Sequence, residues 1–166
     1  LETSDKYNLN SFTTIDADDP FFCPFEVKRS YELLLKSNAD LVLPYESSSN
    51  GGAMVGYSIK TNIVREALKL VNLDSDTEMA WTFLKAVKNI KIEKLNPPLN
   101  YEIKSRLTLD YWEDYVLLET IRLILGNETS RKNIFNLLLK NPEISKINSF
   151  RSKEWSKLQK KKSFKQ

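Results

Sequence analysis

The 166-residue sequence contains no histidine. That absence excludes Ser-His-Asp and Cys-His nucleophilic systems, zinc held by imidazole, and histidine acid–base catalysis. Any metal ion must then be held by oxygen, which points to Mg²⁺, Mn²⁺ or Ca²⁺. Cysteine is nearly absent too. Cys23 stands alone, so no internal disulfide is possible and nothing argues for secretion. No apolar run approaches the roughly 20 residues that span a bilayer. The opening Leu-Glu-Thr-Ser-Asp is neither a signal peptide nor an initiator methionine, and it reads as the start of a piece excised or truncated from something longer. The expectation is a cytoplasmic protein.

The hydrophobic fraction of 41% and the charged fraction of 28% are those of a globular domain able to bury a core. The net charge of +3 conceals an asymmetry. Residues 151–166 carry Arg151 and six lysines against Glu154 alone, a tail of +6 on a body of −3. Such a tail either touches nucleic acid or anionic lipid, or is a solvated terminal helix. Its aromatics are only Trp155 and Phe164, which favours the solvated helix, and no nucleic-acid partner is expected.

Pattern along the chain alternates strands with helices, which implies an α/β layered fold. Phe25 to Lys36 predicts an amphipathic helix with Tyr31, Leu34 and Leu35 inward. Ala39–Tyr45 and Met54–Ile59 predict strands, separated by the polar loop Glu46–Gly52. Thr61 and Asn62 can cap a helix with Ile63, Val64, Ala67, Leu68 and Val71 on one face. Asp74 to Thr77 begins another, carrying Met79, Trp81, Phe83 and Leu84. Asn89–Leu95 alternates as a half-buried strand does and ends before Pro97-Pro98. Arg106–Leu109 predicts a short strand feeding a helix from Tyr111 to Leu125, which Gly126 ends. Asn133–Lys140 and Ile144–Lys162 predict peripheral helices around Pro142.

Two acidic stretches carry the chemistry. In Thr13–Phe22 a β-branched run leads into Asp16, Asp18 and Asp19, and Pro20 stops it. Ligands bind at the carboxyl ends of strands in open α/β sheets, and carboxylates crowded there call for a cation or for hydrogen-bond donors. Magnesium shared with a nucleotide phosphate fits that need. An Asx-turn is the other reading, since Asp-Asp-Pro is ordinary turn chemistry. Thr108–Asp114 repeats the arrangement: a short apolar strand, a carboxylate at Asp110, then a helix. Were the two strands parallel neighbours, Asp18 and Asp110 would share one sheet edge and a Mg²⁺ ion. Against this, Asp110 followed by Glu113 is also a capping box, which needs no metal.

The ordered series D-x-D-D-P-F at 16–21, the glycine loop at 51–56, D-x-E-M-x-W at 76–81 and R-x-T-L-D-Y-x-x-D at 106–114 resembles the sugar-acid cytidylyltransferases. These include acylneuraminate and 3-deoxy-manno-octulosonate cytidylyltransferases and the related spore-coat polysaccharide enzymes. The resemblance covers about residues 8–125. It implies a three-layer Rossmann-like mixed sheet of the nucleotide-diphospho-sugar transferase type, incomplete at the N-terminus. The expected division is the C-terminal portion of a cytidylyltransferase-like α/β domain at 1–126 and a helical basic extension at 127–166.

The resemblance also assigns roles. Asp18 falls on the family's metal-binding aspartate before proline, and Asp110 on the second aspartate that completes the magnesium site. Gly52 matches a loop approaching the sugar, or serves as a flexible turn. Glu78 and Trp81 match a segment covering the substrate pocket, or are a capping acid and a core aromatic. Arg106 faces substrate or phosphate, or forms a surface ion pair with Glu102 or Glu113. The implied reaction joins CTP and a sugar acid into a CMP-sugar with release of pyrophosphate, in surface polysaccharide synthesis, with Mg²⁺ as cofactor. A homodimer is compatible with it. The family's glycine-, arginine- and lysine-bearing nucleotide loop has no counterpart in residues 1–12; Tyr7–Asn10 reads instead as the lead-in to a middle strand. Ala17 keeps the family's small residue, while Asp19 is an added acid to which the resemblance assigns no role. Two other readings remain: a D-x-D glycosyltransferase using Asp16-Ala17-Asp18, and a non-catalytic scaffold.

Overall fold

The computed structural model describes residues 1–45, 54–72, 75, 80–97, 103 and 105–163, with side chains through 158. In chain order the elements are α1 (Glu2–Lys6), β1 (Ser11–Thr13), α2 (Pro24–Ser37), β2 (Leu41–Leu43), β3 (Ser58–Lys60), α3 (Thr61–Leu68), α4 (Trp81–Ala86), β4 (Ile92–Lys94), α5 (Trp112–Leu125), α6 (Arg131–Lys140), α7 (Pro142–Lys146) and α8 (Arg151–Ser163). The chain is thus mixed α/β. Its contacts sort into two units interleaved along the sequence. One holds Leu1–Thr14, Phe25–Pro44 and Gly56–Asn96; the other holds Ile15–Pro24, Tyr45–Val55 and Pro97–Gln166.

Among the described residues, the first unit contains a four-stranded sheet in the order β1-β3-β2-β4. β3 runs antiparallel to both neighbours, and β2 and β4 are parallel. Tyr7–Asn10 leads into β1, at one end of this sheet. Leu41 pairs with Ile59, and the two pack with Ile63, Ala67 and Leu84 from α3 and α4. One position along, Ser58 faces the other way, because successive strand side chains alternate. Its hydroxyl lies 2.8 Å from that of Ser30 on α2 and 2.7 Å from that of Thr13.

Helix α2 starts with Pro24 in its first turn, where a missing N–H is harmless, and Asn38 leaves it at φ 54. Its buried stripe is Glu26, Ser30 and Leu34, spaced by four, so Leu35 points outward at 61% exposure instead of inward. In α3, Ile63 and Ala67 face the core, Leu68 does not, and Val71 lies past the helix end. The cap expected at Thr61 is also absent, because the Thr61 hydroxyl donates to the Leu9 carbonyl at 2.6 Å. All three β4 residues are exposed rather than half-buried.

The second unit is helical around Leu117, Leu118 and Ile121 of α5 and Ile134, Phe135 and Leu138 of α6, with Met54, Ile103 and Leu107. Helix α6 is therefore core, not periphery. Ser130 caps it by accepting the Asn133 N–H. The helix expected over 144–162 is two, α7 and α8, with the buried Asn148 between them.

Arg106–Leu109 is not a strand. The Asn148 carboxamide takes the place of a neighbouring strand: its Oδ1 accepts the Arg106 N–H at 3.2 Å, and its Nδ2 donates to the Arg106 carbonyl at 2.8 Å. With those groups satisfied by a side chain, the segment has no need of a ladder.

Candidate functional site

The acidic stretch after β1 is a turn. The Asp19 N–H donates to the Asp16 carbonyl at 3.1 Å, and the Phe22 N–H donates to that of Asp19 at 3.2 Å, with Pro20 inside the second turn. Both readings of the sequence thus describe the same residues: the backbone turns, and the turn gathers carboxylates. Asp18 meets the segment before α5. The Leu109 N–H donates to the Asp18 carbonyl at 2.9 Å, and the Thr108 hydroxyl donates to Asp18 Oδ2 at 2.9 Å. Asp18 and Asp110 are brought together by two loops, not by parallel strands.

Charge accumulates there. Partial burial and then the charge of Asp18 push Asp16 above the usual carboxylate range. Asp110 is pushed up chiefly by burial; Arg106 opposes this, and the charges of Asp18 and Asp114 add to it. Carboxylates raised by neighbouring negative charge are stabilised by a cation placed among them. Among the described residues, no three acid, cysteine or histidine side chains form a metal-holding group. The donor set therefore does not fit a dedicated protein cage. It does fit a hard cation that takes one or two carboxylates and fills its remaining positions with phosphate oxygens and water, as Mg²⁺ commonly does.

Beneath Asp110 lies a buried polar network. Arg106 and Asp114 are both fully buried, and Arg106 Nε lies 3.2 Å from each Asp114 carboxylate oxygen. Arg106 Nη2 pairs with Asp110 Oδ2. Asp114 also accepts the N–H groups of Asp110 and Tyr111 at 3.0 Å and Asn148 Nδ2 at 2.8 Å. The helix cap is therefore one residue later than the sequence suggests: Tyr111 is the N-cap of α5 and Asp114, not Glu113, reaches back to it. Glu113 is instead gripped by Arg151, at 2.7 and 3.0 Å, in a two-pronged ion pair. The Arg106 guanidinium carbon lies 5.2 Å from the Tyr111 ring centre and 5.9 Å from that of Trp155. Arg106 is thus neither a surface ion pair nor a side chain open to substrate in this conformation.

Asp19 is 5% exposed, and its charge is among those that favour the buried Arg131 cation. Burial depresses Arg131 to about 10 against the opposing pull of Tyr45, Asp19 and Cys23. Trp81 is half-buried beneath Lys85 Nζ, 4.6 Å from its ring centre. Gly52 and Glu78 lie outside the described residues. The residue that sequence reasoning missed is Asn148. No spacing signal connects it with Arg106, 42 positions earlier; an asparagine between two helical patterns reads only as a loop.

No family model matches the sequence, and neither does any curated protein. Among solved structures, a cytidylyltransferase from Leptospira borgpetersenii serovar Hardjo-bovis (strain JB197) matches with a TM-score of 0.72 at 18% identity. The match covers 86% of this chain and 61% of that one. At that identity the likeness speaks to fold. The chain has the fold of a cytidylyltransferase over most of its length, and it spans about three-fifths of that protein.

Proposed function

We propose that this chain is part of a Mg²⁺-dependent cytidylyltransferase that activates a sugar acid for surface polysaccharide synthesis. The observation that carries the reading is the meeting of Asp18 and Asp110 within a cytidylyltransferase-like fold. In the reaction, the anomeric hydroxyl oxygen of the sugar acid bonds to the α-phosphorus of CTP. The bond from that phosphorus to the bridging oxygen breaks, pyrophosphate leaves with the electron pair, and the hydroxyl proton passes to solvent. Asp18 and Asp110 would hold Mg²⁺, which when bound neutralises phosphate charge and lowers the pKa of the attacking hydroxyl. Without histidine, the protein's own part is to position groups and stabilise charge. The three-layer nucleotide-diphospho-sugar transferase arrangement belongs to this reading, as do substrate contacts from Gly52 and Glu78. Arg106 moves within it, from substrate contact to support of Asp110.

A D-x-D glycosyltransferase is the second reading, favoured by the mutual repulsion of Asp16 and Asp18. The approach of Asp110 to Asp18 favours the cytidylyltransferase.

The test uses the whole protein and measures pyrophosphate release from CTP with a panel of sugar acids, with and without Mg²⁺. Wild type is expected to turn over only with the metal, and Asp18→Asn and Asp110→Asn to lose at least about 100-fold. Full activity in either variant ends the metal assignment. Consumption of a UDP- or GDP-sugar without pyrophosphate release supports the glycosyltransferase. Inactivity on both substrate classes supports a scaffold.

A further inference from the structure

Both candidate metal-holding carboxylates are restrained in the same manner and from the same short segment. Thr108, 3% exposed, donates its hydroxyl to Asp18 Oδ2 at 2.9 Å, while Arg106, fully buried, pairs through Nη2 with Asp110 Oδ2. Among the described residues, neither Asp18 nor Asp110 receives a hydrogen bond on Oδ1. The segment is itself held at both ends. Asn148 bonds the Arg106 N–H and carbonyl, Asp114 takes Arg106 Nε, and the Leu109 N–H bonds the Asp18 carbonyl.

From this geometry we infer that Thr108 and Arg106 are positioning residues: each fixes one oxygen of one aspartate and leaves the other oxygen to a shared cation. The inference rests on the metal assignment proposed above. A free carboxylate rotates and offers either oxygen or both, so each must be ordered when a cation binds. Carboxylates held in advance avoid that ordering. Partners in the second sphere of a metal site commonly change affinity by 10–100-fold. Thr108 is a more informative probe than Arg106, because removing a buried guanidinium also unpairs Asp114 and endangers folding.

The experiment titrates the whole protein with Mn²⁺ as the probe and reads binding by electron paramagnetic resonance of the free ion. Asp18→Asn and Asp110→Asn serve as loss-of-site references. Thr108→Val removes the hydroxyl at nearly constant volume, and Thr108→Ser keeps it. Ser105→Ala is the control: that hydroxyl is equally buried and has no hydrogen-bond partner among the described residues. The expected result is about tenfold weaker Mn²⁺ binding in Thr108→Val, recovery in Thr108→Ser and no change in Ser105→Ala. A merely structural role for the hydroxyl would shift the thermal midpoint and leave the Mn²⁺ affinity alone. If wild type binds Mn²⁺, the aspartate variants do not, and Thr108→Val binds as wild type does, the positioning role is overturned while the metal assignment stands. If wild type does not bind Mn²⁺, or the aspartate variants bind as well as wild type, both are overturned.

Discussion

Asn148 serves Arg106 as a neighbouring β-strand would, accepting from its N–H at 3.2 Å and donating to its carbonyl at 2.8 Å. The second hydrogen of the same Nδ2 goes to Asp114 Oδ1 at 2.8 Å, so both amide donors and the acceptor are used. Asn148→Ala leaves two buried main-chain groups unpaired and is expected to destabilise by about 2–6 kcal/mol, at about 1–3 kcal/mol for each such group. Asn148→Asp should be worse than alanine. It keeps the shape but sets a carboxylate oxygen against the Arg106 carbonyl and against Asp114. Urea denaturation of the three proteins checks the order, and an aspartate variant more stable than the alanine one would refute it.

The Arg106–Asp114 pair is fully buried on both sides, so its removal is asymmetric. Asp114→Ala leaves the buried guanidinium with Asp110 as its one carboxylate among the described residues and unpairs the N–H groups of Asp110 and Tyr111. A loss of about 3–5 kcal/mol is expected. Arg106→Met with Asp114→Leu removes both charges and should recover part of that loss, although the helix cap is still gone. Thermal unfolding of single and double variants measures the coupling; additive losses would mean that the pair does not act as a unit.

Much of this fold is legible in the sequence, for identifiable reasons. The buried residues of α3 and α5 follow helical periodicity, and Gly126 ends α5 with a φ of 84. What pattern could not reveal is a buried polar residue in a stripe. Glu26 and Ser30 occupy core-facing positions of α2, so the apolar residues alone turned the helix too far and drew Leu35 inward. Arg106–Leu109 failed for a related reason: its apolar alternation is that of a strand, but its hydrogen bonds go to a side chain 42 residues away. At the candidate site the acids themselves stand out in the sequence, and their supports do not. An arginine is normally exposed, and nothing local marks Arg106 as enclosed.

Gly56 is required for space. A Cβ there would meet the Thr14 side-chain oxygen and lie 2.7 Å from the Thr14 carbonyl oxygen. Those same atoms are engaged, since the Gly56 N–H donates to the Thr14 carbonyl at 3.1 Å and the Tyr57 N–H donates to the Thr14 hydroxyl at 2.8 Å. Gly56→Ala is therefore expected to destabilise by about 1–3 kcal/mol. Gly126→Ala should also destabilise, but through its positive φ, with open space around the new methyl. Thr14→Ala combined with Gly56→Ala removes the side-chain oxygen and should still not rescue, because the carbonyl clash remains; a rescue measured by chemical denaturation would place the strain in the side chain.

Asp19 has a structural role in this arrangement. It is buried, and its charge helps to offset the desolvation of Arg131. Asp19→Asn is expected to lower stability by about 2–4 kcal/mol while leaving Mn²⁺ affinity unchanged, the reverse of Asp18→Asn. Adding Arg131→Met should return part of the stability. A weakened Mn²⁺ affinity in Asp19→Asn would move this residue into the metal site.

Glu26 and Asp40 predict opposite dependences of stability on pH. Burial raises Glu26 above its ordinary 4.5 despite the Arg29 ion pair at 2.9 Å. The folded state then binds the proton more tightly than the unfolded chain, so this group's contribution falls as pH rises from 4.5 through the folded pKa. For Asp40, burial is outweighed by the Lys91 N–H at 3.0 Å and by Lys60 at 2.9 Å, and the net effect is a lowered pKa. Its contribution is present above 3.8 and lost as pH falls through the folded value. Urea midpoints measured from pH 3 to pH 7 should show the advantage of wild type over Glu26→Gln shrinking as pH rises. The advantage over Asp40→Asn should grow across the acid end of the same range. Because Glu26 and Asp40 titrate against the same unfolded chain, a common trend in both variants would mean that net charge, not these local surroundings, governs acid stability.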